Sequence, residues 1–361
     1  MPHPKTVEEM SDCAGPIECE LLPKLIQVTE AAAIAAAYQM GRGDKHFADQ
    51  VAVAAMRRML NKLNMNGVIK IGEGERDEAP MLYIGEKVGT GAGVDVDIAV
   101  DPLEGTNLTA DGCPGSVAVM AMAERGGIFH GPDIYIDKIV VGPEVVQYEA
   151  EHPEEKLELD APVSRNLNIV AKALDRKVQE LVVVILDRPR HAQKIMEIRE
   201  AGARVKLVSD GDLMPGVATA IRGSGIHMVM GAGGSGEAVL TAAAIKTLGG
   251  KILGRLVLPS VANGKTQEEI DAEIEEKLPR LEKMGISLQT LNEVMDTEKL
   301  VPGKDVIFSA SAVTPGHFLH EVSLFGRGDA RVNTVSMGSS GTVRFTDSIY
   351  IKDKQKTPLY L

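Results

Sequence analysis

The chain has 361 residues, 44% hydrophobic and 25% charged, enough apolar material for about two domains of roughly 150 residues each. Asp and Glu number 51 against 39 Lys and Arg, a net charge of −12, and aromatics make up 3% with no Trp. That field repels nucleic acid, and so few aromatics supply neither a base-stacking surface nor a membrane-interface belt. The longest apolar runs, near Ala31–Ala37 and Leu181–Leu186, fall far short of the ~18 residues a membrane span needs.

Residues 1–20 carry Pro and acids but no apolar run, so a loosely docked tail without a secretory signal is expected. Its Cys13 and Cys19, with Cys113, form an odd and sparse set that reads as spare thiols in a reducing, cytoplasmic setting, with a redox pair of Cys13 and Cys19 as the alternative. Leu21–Met40 is Ala- and Leu-rich and closes on Gly41 and Gly43, which predicts a helix. His46–Leu63 follows with Ala48, Ala52, Ala55, Met56 and Leu60 at helical spacing. Gly67–Ile71, Val94–Val100 and Ser116–Met122 read as strands, so the first half is α+β.

Near Asn166 the pattern changes. Strands at Glu180–Leu186, Arg204–Val208 and His227–Met230 alternate with helices at Arg190–Ala201, Leu213–Ile221 and Glu237–Leu248. This β-α-β-α-β-α order predicts a parallel α/β sheet. A charged helix over Thr266–Ile286 and strands at Asp305–Ser309, Arg331–Ser336 and Thr342–Ile351 close the chain. Two domains are expected, 21–165 holding acids and 166–361 holding ligand loops. Gly-Arg-Gly-Asp occurs at 41–44 and 326–329, but the flanking residues differ and mark no repeat.

Ligands of open parallel sheets bind beyond the carboxyl ends of the strands. Those ends carry Asp187-Arg188-Pro189-Arg190-His191, Ser209-Asp210-Gly211-Asp212 and the loop Gly231 to Glu237. The loop fits G-x-G-x-x-G at Gly231, Gly233 and Gly236, yet the following strand, Lys251 to Pro259, lacks the acid a dinucleotide site requires. Close backbone approach to an anionic ligand is the better expectation. In the first half, Asp101 and Glu104 flank a Pro-Leu turn at a strand end, and Glu73, Glu75, Asp77 and Glu78 follow another strand. Carboxylates gathered at neighbouring strand ends repel unless protonated or bridged by cations. With no Cys or His cluster among them, hard oxygen donors of this kind suit Mg²⁺ or Mn²⁺. Asp49 on the second helix is a further donor, and Asp97 lies earlier on the Asp101 strand.

The run Asp101-Pro102-Leu103-Glu104-Gly105-Thr106, preceded by Ile71-Gly72-Glu73-Gly74-Glu75, resembles the metal motif of the lithium-sensitive sugar-phosphatase superfamily. Gly41 to Lys45, Ile71 to Gly89, Pro132 to Tyr135, Arg188 to His191, Ser209 to Asp212 and the glycine loop resemble the class II fructose-1,6-bisphosphatases. The resemblance spans about residues 21–352. Leu186 to His191 is most similar to the cyanobacterial type that also accepts sedoheptulose-1,7-bisphosphate.

The resemblance implies a layered α-β-α-β-α fold and hydrolysis of the 1-phosphate of a sugar bisphosphate, in gluconeogenesis or the Calvin cycle, by a homo-oligomer (dimer or tetramer). It implies metal ligands at Asp49, Glu73, Asp101, Glu104 and Glu237. Substrate contacts are implied at Glu104, Gly105, Thr106, Tyr135, Arg188, Pro189, Arg190, Asp210, Gly211, Asp212 and Gly234. Thr106, Asp77 and Glu104 take the catalytic roles. The paired arginines favour a second phosphate on the substrate over inositol-type monophosphates. A dinucleotide oxidoreductase and a sensing module without turnover are the competing classes.

Overall fold

The structure, a computed structural model, describes residues 13–74 and 81–352. Pro16–Ala37 (α1) and Lys45–Leu60 (α2) come first. Helix α1 therefore starts inside the segment expected to be a loose tail. Pro16 stands in its first turn, and Asp305, far along the chain, accepts the backbone N–H groups of Ile17 (2.8 Å) and Glu18 (3.1 Å). That remote carboxylate satisfies helix-end donors that Gly15 at the N-cap has no side chain to meet. The helix start also brings Cys13 and Cys19 to a Cα separation of 5.5 Å, and they form a disulfide. The spare-thiol reading is thus corrected for this pair, whereas Cys113 is free and exposed.

Strands Met65–Ile71 (β1), Lys87–Val88 (β2), Val94–Glu104 (β3) and Val117–Glu124 (β4) follow, with the short helix Thr106–Asp111 (α3) between β3 and β4. β1 and β3 are parallel, so their carboxyl ends share an edge. Next come Tyr135–Val141 (β5), the helices Pro143–Glu151 (α4) and Val163–Ala173 (α5), Val182–Leu186 (β6), Ala192–Glu200 (α6) and Arg204–Val208 (β7). Leu213–Ala218 (α7), Met228–Gly234 (β8), Ser235–Thr247 (α8), Lys251–Val257 (β9) and Gln267–Lys283 (α9) continue the chain. Met295–Asp296 (β10), Ile307–Ala312 (β11), Ser323–Gly326 (β12), Asp329–Gly338 (β13) and Val343–Tyr350 (β14) complete it.

The strands form two sheets. One is ordered β12-β13-β11-β4-β3-β1-β2 with β14 on β13, and the other β10-β9-β5-β8-β6-β7. The three strands expected to be parallel, β6, β7 and β8, are so, and the second sheet as a whole is mixed because a further strand joins it. β6 is parallel to β7 and β8, but β5 runs antiparallel between β8 and β9. The β8-α8-β9 crossover does join strands of one direction, and β5 fills the space between them. Sheet membership also runs across the expected boundary at 165/166. β5 precedes that point yet joins the second sheet, while β11 pairs with β4 and carries β12 to β14 into the first.

Five layers result. Helices α1 and α2 cover one face of the first sheet, with Leu21, Leu25, Met56 and Ile98 in a common core. α7 and α8 lie between the sheets, in a core that runs from Val119 and Phe308 to Ile136 and Val229. α4, α5 and α6 cover the outer face of the second sheet around Leu167, Ile185 and Ile198. This is the α-β-α-β-α order. Helix α8, SGEAVLTAAAIKT, buries residues on every side, as a helix between two sheets must. No helix among the described residues is long and apolar enough to cross a membrane.

Candidate active site

A cavity of about 460 Å³ opens where the carboxyl ends of β1 and β3 meet the start of α8. Asp49, Glu73, Asp101, Glu104, Gly105, Thr106, Asp210 and Glu237 all line it. Asp49 comes from the second turn of α2, whose N-cap Asp44 accepts the Phe47 N–H at 3.0 Å. Glu73 follows β1, and its N–H donates to Leu82 O at 3.1 Å. Gly72 allows this turn, because a Cβ there would run into the Leu82 carbonyl. On β3 the pairing with β4 shifts register between Asp101 and Glu104. Asp101 Oδ1 accepts the Leu103 N–H at 3.1 Å and so braces the Pro-Leu turn. Gly105 then takes a left-handed conformation (φ +78°) that sends the chain into α3 and sets Thr106 on the cavity wall.

Ligand atoms of Asp101, Glu104 and Glu237 lie within 4.8 Å of one another. Burial and mutual repulsion raise every acid of the set. Burial and the neighbouring Asp101 lift Asp49 to about 6. Burial, with Asp49 and Asp101 close by, lifts Glu73 to about 9. Burial, followed by Asp101, lifts Glu237 to about 7. Burial also raises Asp101, and burial with the Asp101 charge holds Glu104 well above the ordinary range. Such a cluster is either partly protonated or neutralised by cations. Its donors are all carboxylate oxygens, so the residues fit hard divalent ions. Asp97 takes no part: it is buried against Arg125 (2.8 Å) and the Gly126 N–H (2.7 Å).

Of the remaining candidates Asp210 lines the cavity, whereas Tyr135, Arg188, Pro189, Arg190, Gly211, Asp212 and Gly234 are not among its lining residues. Asp210 accepts from Asn107 Nδ2 at 3.2 Å. The Cβ position of Gly211 lies 3.6 Å from Glu104 Oε1. Tyr135 pairs with Gly234 across β5 and β8. The Arg190 guanidinium stacks 4.5 Å above the Tyr135 ring and donates twice to Ala232 O, at 2.9 and 3.1 Å. Arg188, half-buried, stands at the start of the turn through Pro189 that leads into α6 without a side-chain capping bond, its Nη1 donating to Asp187 O at 3.1 Å. Asp212 is buried on Lys138. Asp77, with Glu75 and Glu78, lies outside the described residues.

The glycine loop departs from expectation. Gly231 and Gly233 belong to β8, and protein side chains fill the space before them. A Cβ on Gly231 would stand 3.0 Å from His191 Nε2, and one on Gly233 2.9 Å from Lys138 Nζ. These two glycines accommodate side chains of the protein itself, not a ligand. Lys45, His46 and Asp133 also line the cavity and were not singled out from the sequence. Lys45 and His46 were legible in principle, since they lie three or four residues before Asp49 on one face of α2.

The fold and this carboxylate cavity define a sugar-phosphatase-like hydrolase. Residues 19–350 match the family described as bacterial fructose-1,6-bisphosphatase, glpX-encoded. The chain is 46% identical over 347 residues to the D-fructose 1,6-bisphosphatase class 2/sedoheptulose 1,7-bisphosphatase of Synechococcus sp. (strain JA-3-3Ab), covering 92% of this chain and 96% of that protein. It is 44% identical over 351 residues to the protein of that name from Thermosynechococcus vestitus, covering 94% and 98%. The Synechococcus elongatus protein is 43% identical over 348 residues, covering 92% and 97%. The chain belongs to the glpX-type, class 2 fructose-1,6-bisphosphatase family.

Proposed function

We propose that the chain hydrolyses fructose 1,6-bisphosphate to fructose 6-phosphate and phosphate, and sedoheptulose 1,7-bisphosphate to sedoheptulose 7-phosphate. The observation that carries this reading is the carboxylate cluster of Asp101, Glu104 and Glu237, within 4.8 Å, beside Gly105 and Thr106. Asp49 and Glu73 complete the set that would hold Mg²⁺ or Mn²⁺. When bound, such ions neutralise phosphate charge and make a bound water acidic.

The chain's own groups do the rest. Gly105 and Thr106 receive the 1-phosphate, and the Thr106 hydroxyl orients the attacking water or a phosphate oxygen. Glu104 stands between this phosphate and the Ser209–Asp212 loop. Asp77 serves as the partner that polarises the water. The distal phosphate meets Arg188 and Arg190, the latter held by Tyr135 and Ala232 O before substrate arrives. A guanidinium fixed in this way loses little freedom on binding. Asp210 and Asp212 accept hydrogen bonds from sugar hydroxyls, and Pro189, Gly211 and Gly234 shape the backbone around them. The enzyme acts as a cytoplasmic homo-oligomer, in gluconeogenesis or the Calvin cycle.

Phosphate release from fructose and sedoheptulose bisphosphates, fructose 6-phosphate and inositol monophosphate, each with Mg²⁺ and with Mn²⁺, tests the proposal. Turnover of the bisphosphates with at least tenfold higher kcat/KM than the monophosphates is expected. Preference for a monophosphate would refute it.

A further inference from the structure

Lys138 is fully buried at the centre of β5. An ammonium in that position is costly unless it is paired and hydrogen-bonded. Its cross-strand partners on both sides are glycines, Gly231 on β8 and Gly254 on β9. The next position on the same face of β8 is Gly233, whose Cβ would lie 2.8 Å from Asp212 Oδ2 and 2.9 Å from Lys138 Nζ. Gly233 thus leaves room for the end of the lysine, whereas a Cβ on Gly231 would meet His191 Nε2 at 3.0 Å and one on Gly254 would meet Ile136 Cδ1 at 2.6 Å.

At its end, Nζ donates to Asp212 Oδ2 at 2.5 Å, with side-chain exposures of 0% and 5%. Asp212 occupies the N-cap of α7 yet makes no capping bond, so its carboxylate is given to the lysine in place of the helix. The pair adjoins the carboxylate cluster: the Asp212 charge pushes Glu104 and Glu237 up, and Lys138 draws Glu237 down.

We propose that Lys138 is a positioning residue for sugar recognition, locking the Asp212 carboxylate in the one orientation that accepts a hydroxyl of the bisphosphate. This rests on the reading of Asp212 as a sugar contact. Lys138 itself touches no substrate. Its action passes through Asp212, and Gly233 leaves the space in which the two groups meet.

The test compares Lys138→Met, Asp212→Asn and the double variant with the wild type, on fructose 1,6-bisphosphate and on p-nitrophenyl phosphate, which has no sugar hydroxyl. Lys138→Met should raise KM for the bisphosphate about tenfold or more, as loss of a charge-assisted hydrogen bond does, with a much smaller change in kcat. The loss in kcat/KM on p-nitrophenyl phosphate should be at least fivefold smaller. The double variant should match Asp212→Asn within a factor of two, because no carboxylate is left for the lysine to hold. Equal losses on both substrates would mean that Lys138 supports the fold or the metal cluster. A double variant as impaired as the product of the single effects would mean that the lysine acts without Asp212. Either result overturns the proposal.

Should Lys138→Met fail to fold, Lys138→Gln, which keeps a donor without the charge and leaves Asp212 in place, decides: a wild-type KM for the bisphosphate refutes the role, and a raised KM confined to that substrate supports it. Absence of bisphosphate turnover in the wild type would instead overturn the reading of the site itself.

Discussion

Removing divalent cations should make the stability of the protein fall steeply as pH rises. Asp49, Glu237 and Glu73 are lifted to about 6, 7 and 9 by burial and mutual repulsion. Their folded-state values lie above the ordinary carboxylate values, so the native protein holds protons that the unfolded chain has released. Stability contributed by this protonation is present in acid and is lost as pH rises through these values. For Glu237 alone, a move from 4.5 to about 7 corresponds to about 3 kcal/mol. The three groups share protons, so their effects do not simply add. With an unfolding entropy of about 0.8 kcal/mol/K for a chain of this length, the loss amounts to about 4 °C in Tm. Because the Glu237 loss accrues between pH 4.5 and 7, differential scanning calorimetry of the EDTA-treated protein at pH 4.5, 6 and 9 measures it. Mg²⁺ binds the ionised set and should restore more at pH 9 than at pH 6, the increment at pH 9 being about 3 kcal/mol at a hundredfold excess over Kd. A metal-free Tm that is flat from pH 4.5 to 9, or a metal increment equal at pH 6 and 9, would show that the carboxylates do not share one repulsive site.

Asp101→Asn and Glu104→Gln keep the shape of the turn but each remove a charge. Each should lower kcat at least tenfold, or about 1.4 kcal/mol of barrier, with an unchanged circular dichroism spectrum; a smaller loss would make the pair structural. Arg190→Ala removes a guanidinium already held by Tyr135 and Ala232 O, and should raise KM for fructose 1,6-bisphosphate about tenfold to a hundredfold. Sedoheptulose 1,7-bisphosphate should follow in parallel, whereas an equal loss on a small monophosphate would remove the distal-phosphate assignment. Gly72→Ala sets a methyl against the Leu82 carbonyl that holds the Glu73 N–H. It should cost about 1–3 kcal/mol by overpacking and raise the metal concentration needed for half-maximal activity; unchanged values of both would show that the loop yields freely.

The acid strand was legible because physics wrote it locally. VDVDIAV is a continuous apolar alternation, and the acids that end it cannot be core residues. That β1 and β3 lie side by side was not written locally, yet two strands that both end in acids point to a shared edge. β5 was hidden for the opposite reason. Asp137 and Lys138 interrupt its apolar run, and the charge is tolerable there because Nζ is paired with Asp212 beside a glycine of the neighbouring strand. A reading residue by residue cannot see a cross-strand partner almost a hundred positions away. The same holds for β11, which pairs with β4, and for Asp305 at the start of α1. The Cys13–Cys19 disulfide depended on where α1 begins, since the helix start sets the separation of the two residues.

The placement of Glu237 shows how far packing reaches into the chemistry. Helix α8 is apolar on every side, so no position on the surface of the molecule suits it. It contacts β3, β4, β11 and β13 of the first sheet and β5, β8 and β9 of the second, which fixes its axis between the two. Because it leaves directly from the end of β8 at Gly234, its first turn must emerge where that strand edge faces the end of β3. Glu237 stands in that turn and therefore meets Asp101 and Glu104, which come from the other sheet. Neither sheet alone holds the cluster. A polar stripe on α8 would let the helix rotate or leave the middle layer, and the carboxylate would leave with it. The hydrophobic composition of one helix thus assembles an all-oxygen site, and substitutions such as Ala243→Glu, more than one turn beyond Glu237, should weaken metal binding without replacing a ligand.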